Sequence, residues 1–324
     1  MLLEQAFHAL HEILCGSRYP GQDYESVIVM ALTMAILQEL NGRNVANPLS
    51  CIQGERLYED NGFANGAGTP RYLRADLVLN TGSLRVASKR LGDRYGWRHE
   101  NWLEAKFFRV RNKLTNKTGP TAALLADLVR LATLVPEKPG TGSFKGRYLL
   151  HIYDRPPTDY ISSRRNKNKN GVGGSRQWAS VVHVAGTHTA QIADLDKEPP
   201  SFQATLGAMG ALSLKLSLTN VVLTPRPVLQ PNGTVYWCVL TRIDSIECED
   251  GALKFAVAAD RAVTEGTAGD FATLRSKVAM NLGEVPEVEK TKPDDPAVAP
   301  SEDADVEQVP GDLDPGDGAP PADT

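Results

Sequence analysis

Little in this sequence points to thiol, zinc or nucleotide-hydrolysis chemistry. Cys15, Cys51, Cys238 and Cys248 are scattered over 324 residues, and none stands at C-x-x-C spacing. That spacing excludes a cysteine zinc site and a dense disulfide framework, so free thiols in a reducing cytoplasm are the expectation. His8 and His11, and His183 and His188, have no acid or cysteine partner at zinc-like spacing, and structural roles suit them. There is no Gly-rich phosphate loop and no G-x-S-x-G turn. The chain is therefore not expected to hydrolyse ATP alone. No apolar run reaches membrane length: the longest, "VIVMALTMAILQEL" from Val27 to Leu40, is 14 residues and contains Thr33 and Gln38. The opening "MLLEQAFHALHEIL" has no basic lead and no small-residue cleavage site. Its Leu3, Phe7, Leu10 and Leu14 instead fall at helical spacing.

Charge is present but unevenly placed. The chain carries -4 overall, yet residues 284–324 hold thirteen acidic residues against Lys290 and Lys292, a net of -11, which leaves +7 on residues 1–283. The acidic segment also holds eight prolines and no aromatic residue. Such a composition cannot bury enough apolar surface to offset its ordering entropy, so it reads as a disordered acidic tail. The tail can solubilise the chain, compete for its basic surface, or dock a partner protein or a second copy. A basic body favours polyanionic partners.

The element pattern predicts an α/β layout. A second helix is expected from about Asp23, an N-cap candidate, to a stop near Gly42. "RYLRADLVLNTG" alternates Leu73, Ala75, Leu77 and Leu79 with Arg74, Asp76, Val78 and Asn80, which is strand periodicity. "NWLEAKFFRV" ends another strand. A helix follows in "TAALLADLVRLATLV", with Thr118 or Thr121 as its cap, Pro120 in its first turn and Pro136 as its stop. "GRYLLHIYD" is an apolar strand. Further on, "SSRRNKNKNGVGGSRQ" reads as a basic loop and "SFQATLGAMGALSLKLSLTN" as a helix. "VVLTPRPVLQ", "TVYWCVLTRIDSIE" and "ALKFAVAAD" read as a meander, the first at a sheet edge because of Pro225 and Pro227. Three regions result: a core over 1–155, a β-rich extension over 156–283 that is either a separate domain or part of the first sheet, and the tail over 284–324.

One strand carries charges it does not need. Residues two apart in a strand face the same way. Glu104 and Lys106 therefore share a face with Trp102 and Phe108, while Leu103, Ala105 and Phe107 share the face suited to a helix. If "RADLVLN" lies alongside, Asp76 joins Glu104 and Lys106. Two carboxylates and a lysine at one place on a sheet are what metal-assisted phosphodiester hydrolysis needs. Carboxylates hold Mg²⁺, a hard cation that prefers oxygen. The metal polarises the phosphate and lowers the pKa of a bound water. Lysine orients that water or offsets developing charge. The alternative for such a set is a surface cross-strand ion pair, which the apolar neighbours on both faces disfavour.

"RAD" with Asp76, followed by "EAK" with Glu104 and Lys106 and then by a helix and a strand, resembles the PD-(D/E)XK nuclease superfamily. The resemblance covers roughly residues 20–155. Ala75 stands where the family name has proline, and 28 positions separate Asp76 from Glu104. The resemblance implies a restriction-endonuclease-like core, a mixed sheet flanked by helices. It implies Asp76, Glu104 and Lys106 as catalytic residues, and Mg²⁺ as cofactor with Mn²⁺ as an alternative. Asp76 and Glu104 would hold the metal, joined by Glu25 from the preceding helix, with Glu39 as the competitor for that place. A restriction or phage-defence role is implied by the superfamily alone.

The charge around the motif is one-sided. Residues 85–117 hold ten Lys and Arg, including Arg109, Arg111, Lys113 and Lys117, against Asp93, Glu100 and Glu104. Trp97, Trp102, Phe107 and Phe108 are interleaved with them. A second cluster includes Arg164, Arg165, Lys167 and Lys169. Basic runs are often only solvated faces. Beside this motif they read as contacts to nucleic-acid phosphates. The expectation is a metal-dependent endonuclease acting on nucleic acid, DNA first. Its rival is a non-catalytic nucleic-acid-binding subunit that keeps the fold.

Overall fold

Two apolar layers enclose a mixed sheet. The computed structural model describes residues 2–16, 25–64, 70–82, 99–109, 118–137, 145–161, 181–192, 200–207, 214–223, 236–248, 254–258, 261–265 and 268–281. By internal contacts the chain divides into Met1–Val285 and Pro286–Thr324, and all described residues belong to the first unit. The acidic tail and the basic loop at 162–180 lie outside the described residues.

Helix α1 (Leu2–Gly16) buries Leu3, Phe7, Leu10 and Leu14, the stripe its spacing predicts. Helix α2 (Glu25–Gly42) buries Ile28, Ala31, Leu32, Ala35, Ile36 and Leu40. It ends at Gly42 as expected, while Asp23 lies outside the described residues. A short strand β1 (Ile52–Leu57) comes next, then the small hairpin β2 (Phe63–Ala64) and β3 (Pro70–Arg71). β4 (Arg74–Asn80) and β5 (Glu100–Phe108) are the two strands of the motif. Helix α3 (Thr118–Leu134) connects β5 to β6 (Gly146–Tyr153). Those two strands are parallel, and parallel neighbours require a crossover of this kind. Then come β7 (Gly186–Ile192), α4 (Pro200–Gly207), β8 (Leu214–Leu223), β9 (Trp237–Cys248), β10 (Lys254–Ala258), β11 (Arg261–Glu265) and α5 (Ala268–Asn281).

The main path of the sheet is β1-β4-β5-β6-β9-β10-β11, with β8 paired to β9 and β7 to β8. Strands from the second half thus extend the sheet that holds the motif. On one face Val78, Trp102, Phe108, Leu149 and Tyr153 pack with α3 and α5. On the other Leu77, Leu79, Leu103, Ala105 and Leu150 pack with α1 and α2. β6 is buried along its whole length, as "GRYLLHIY" in mid-sheet must be.

The helix expected over residues 201–220 is corrected. α4 stops at Gly207, and Leu214, Leu216 and Leu218 alternate with Lys215, Ser217 and Thr219 along β8. Period two overrode the helix reading there. β1 was not expected at all. Its Gln53, Gly54 and Glu55 are exposed and it forms the end of the main path, so its sequence carries no apolar alternation. β7, β11 and α5 were likewise unexpected, for α5 because its "AGDFATLRSKVAMN" is only weakly amphipathic.

Candidate active site

The antiparallel ladder between β4 and β5 runs from Asn80–Glu100 to Leu77–Leu103 and ends there. The next facing positions are Asp76 and Glu104. At this point the strands fork: β5 stays paired to β6 as far as Phe108–Tyr153. The Asp76 side chain takes over the role of the missing strand partner. The Ala105 N–H donates to Asp76 Oδ2 at 2.6 Å. On the other flank, β1 pairs with β4 at Gly54–Leu77 and Arg56–Ala75. Glu55 lies between those pairs with φ of 51°, a left-handed backbone that a glutamate rarely adopts.

Glu104 is 4% exposed. Tyr58, itself stacked on Trp102, donates its hydroxyl to Glu104 Oε1 at 2.6 Å. Arg130 Nη2 donates to the same oxygen at 3.3 Å. Arg130 Nη1 lies 3.2 Å from Asp127 Oδ1. Lys106 Nζ stands 3.5 Å from Asp127 Oδ2 and 3.5 Å from Glu25 Oε1. The first turn of α2, the ends of β4 and β5, and the middle of α3 therefore meet at one place. Asp76, Glu104 and Lys106 come together as expected, with Glu104 and Lys106 on the face of Trp102 and with Leu103 and Ala105 in the opposite layer.

Burial raises the Glu104 carboxyl to about 8, against the pull of Arg130 and with the help of Asp127 and Asp76. Burial also raises Asp76, opposed by the Ala105 N–H and reinforced by Glu25, Asp127 and Glu55. Asp127 is raised by burial in spite of Arg130 and Lys106. For Lys106 burial acts downward, yet Asp127 and Glu25 outweigh it, and its pKa rises. The carboxylates thus crowd one another in a partly dry place. Among the described residues, four carboxyl groups, Glu25, Asp76, Glu104 and Asp127, stand with two cations, Lys106 and Arg130.

A hard divalent cation would suit that crowding, because its charge favours the ionised carboxylates that burial disfavours. Among the described residues, no three Asp, Glu, His or Cys are gathered closely enough to hold a metal on protein atoms alone. Asp76, Glu104 and Glu25 therefore do not form one three-carboxylate group. Glu25 pairs with Lys106, and Glu39 pairs with Arg43 at the far end of α2. Asp76 and Glu104 remain as a two-carboxylate set, which suits Mg²⁺, since that ion keeps several waters and takes one or two carboxylates plus substrate oxygens.

Three residues of the cluster were missed. Asp127 and Arg130 are the only charged side chains in "TAALLADLVRLATLV", and their i, i+3 spacing puts them on one face. A polar pair on an otherwise apolar helix was the available signal. Tyr58 carried none, because β1 beside it was not recognised. Arg109 is exposed at the end of β5. Arg111, Lys113, Lys117, Arg164, Arg165, Lys167 and Lys169 lie outside the described residues. Among the described residues no helix is long and apolar enough to cross a membrane. Comparison with protein families, curated proteins and solved structures finds no match to this chain.

Proposed function

We propose that this chain is a Mg²⁺-dependent nuclease that hydrolyses phosphodiester bonds in nucleic acid, DNA first, on a restriction-endonuclease-like core. The observation that carries this reading is the fork itself. Asp76 and Glu104 occupy the next facing positions past the ladder, and Lys106 follows on the same face within an electronegative cluster. Mg²⁺, or Mn²⁺ in its place, supplies polarisation of the phosphate and a more acidic bound water.

The chain's own residues do the rest. Asp76 and Glu104 hold the ion. Asp127 and Glu25 keep the Lys106 ammonium charged and hold its position. Lys106 orients the attacking water and offsets charge building on the phosphate. The water oxygen forms a bond to phosphorus, the ester P–O bond breaks, the water's proton passes to solvent, and the departing oxygen takes one from solvent. The +7 on residues 1–283, with Arg109 exposed just past the end of β5, supplies phosphate attraction.

One observation favours a second reading. Glu104 is held by Tyr58 and Arg130, as a carboxylate in a purely structural network is held. On that reading the chain binds nucleic acid without cutting it. Incubating the protein with supercoiled plasmid, linear duplex and RNA, with Mg²⁺ and with EDTA, decides between them. EDTA-sensitive strand breaks are expected. Binding without cleavage in Mg²⁺ or Mn²⁺ selects the second reading.

A further inference from the structure

Arg130 is held more loosely than Arg275 and Arg242. Arg275 is gripped by Glu59 at 2.9 Å and by the carbonyls of Leu134 and Tyr58 at 3.0 and 2.7 Å. Arg242 is fixed by Asp244 at 2.6 Å and Glu4 at 2.7 Å. These are the short contacts of charge-assisted bonds. Arg130 meets its carboxylates only at 3.2 and 3.3 Å. Its Nε is buried and has no hydrogen-bond partner among the described residues. A guanidinium presents five N–H donors in a planar fork. At Arg130 the Nε donor is unused and the two Nη contacts are long, although the side chain is only 27% exposed.

Its position gives the spare capacity a purpose. Arg130 leans on the Glu104 oxygen that Tyr58 also uses, on the face that carries Lys106. A substrate phosphate drawn to Glu104 and Asp76 would come within reach of the guanidinium. The fork geometry of arginine matches two oxygens of a tetrahedral phosphate, which a lysine cannot do. Long bonds to two carboxylates are also cheap to exchange for bonds to phosphate.

We propose that Arg130 is a catalytic residue that grips a non-bridging oxygen of the scissile phosphate and stabilises the charge that develops there. This role rests on the nuclease reading. No covalent bond to Arg130 forms or breaks. The N–H groups turn from Glu104 and Asp127 toward the phosphate as its oxygens gain charge.

The test uses the full chain, as parent, Arg130→Lys and Arg130→Gln, with a short DNA duplex. In single-turnover cleavage with Mg²⁺, Arg130→Lys should be slower by about 10²–10³-fold, the usual cost of one transition-state donor. A duplex with one non-bridging oxygen of the scissile phosphate replaced by sulfur should slow the parent, in one of its two stereoisomers. That same substitution should slow Arg130→Lys by much less, because the contact is already gone and the two losses do not multiply. Independently of cleavage, binding measured with Ca²⁺ in place of Mg²⁺ should show a salt slope lower by about one in Arg130→Gln. Arg130→Lys keeps the charge that Glu104 and Asp127 need, so it remains informative if Arg130→Gln fails to fold. Sulfur effects of equal size in parent and Arg130→Lys, for both stereoisomers, would overturn the direct contact and leave the nuclease reading intact. A parent that cuts no nucleic acid in Mg²⁺ or Mn²⁺ would overturn both.

Discussion

At the scale of single residues, Lys106 depends on two carboxylates of unequal weight. Glu25 is 46% exposed and Asp127 only 6%. Screening by water leaves the exposed pair little to contribute. Glu25→Gln should slow cleavage by less than about fivefold. Asp127→Asn should slow it by about 10²-fold, because the ammonium loses its buried anchor and its position. Single-turnover rates at saturating Mg²⁺ check the contrast, and equal effects would mean that Lys106 is positioned by something else. Glu55 offers a second test. Glycine accepts φ of 51° without steric cost, so Glu55→Gly should stabilise the fold by about 1 kcal/mol in urea unfolding. The motif residues were legible because charge in an apolar strand is conspicuous. Asp127 and Arg130 were present in the sequence as an i, i+3 pair, but only the tertiary approach of α3 to the fork gives them meaning.

At the scale of elements, a buried polar chain ties the central strands together. His151 on β6 is fully buried, with Nδ1 at 2.7 Å from the Tyr153 hydroxyl and Nε2 at 3.0 Å from the Thr241 hydroxyl on β9. Thr241 donates to Asn220 on β8 at 2.7 Å, and Asn220 donates to the Val181 carbonyl at 2.6 Å. Burial, helped by His183, lowers His151 to about 3. The unfolded chain therefore takes up a proton near the ordinary histidine value that the folded chain refuses. Stability from this group is full above about pH 6.5 and is lost as pH falls from there toward 3. Melting temperature should fall over that range, and it should fall less steeply in His151→Asn. Parallel slopes would remove His151 from the account. Strands with a clear apolar rhythm, β4, β5, β6 and β9, were readable from the sequence. β8 was not, because "GAMGAL" before it mimics a helix and runs directly into the alternation "LSLKLSLT". β1 has three exposed residues in a row, and β7 buries only the small Ala190 among its described side chains, so neither shows an apolar rhythm.

At the scale of the whole molecule, nine of the described strands build one mixed sheet with helices on both faces, and β2 and β3 form a separate small hairpin. The α/β class was therefore legible, while the joining of second-half strands to the motif's sheet was not, since strand order depends on contacts between distant segments. Charge was legible throughout. With +7 on residues 1–283, nucleic-acid affinity should fall steeply with salt. Replacing Arg164, Arg165, Lys167 and Lys169 together by glutamine should weaken binding and flatten that dependence, with little change in melting temperature. An unchanged slope in fluorescence anisotropy titrations would return this cluster to ordinary solvated surface.

The fork of β4 and β5 is proposed as a metal-dependent phosphodiester-cleaving centre. Its most direct test is single-turnover cleavage of a DNA duplex in Mg²⁺ by the parent and by Asp76→Asn, Glu104→Gln and Lys106→Ala, with duplex affinity measured in Ca²⁺ on the same preparations. The parent should cut, and each variant should be slower by at least about 10²-fold. Affinity in Ca²⁺ should survive in the lysine variant. Variants that cut as fast as the parent, or a parent that binds the duplex and leaves it whole, would contradict it.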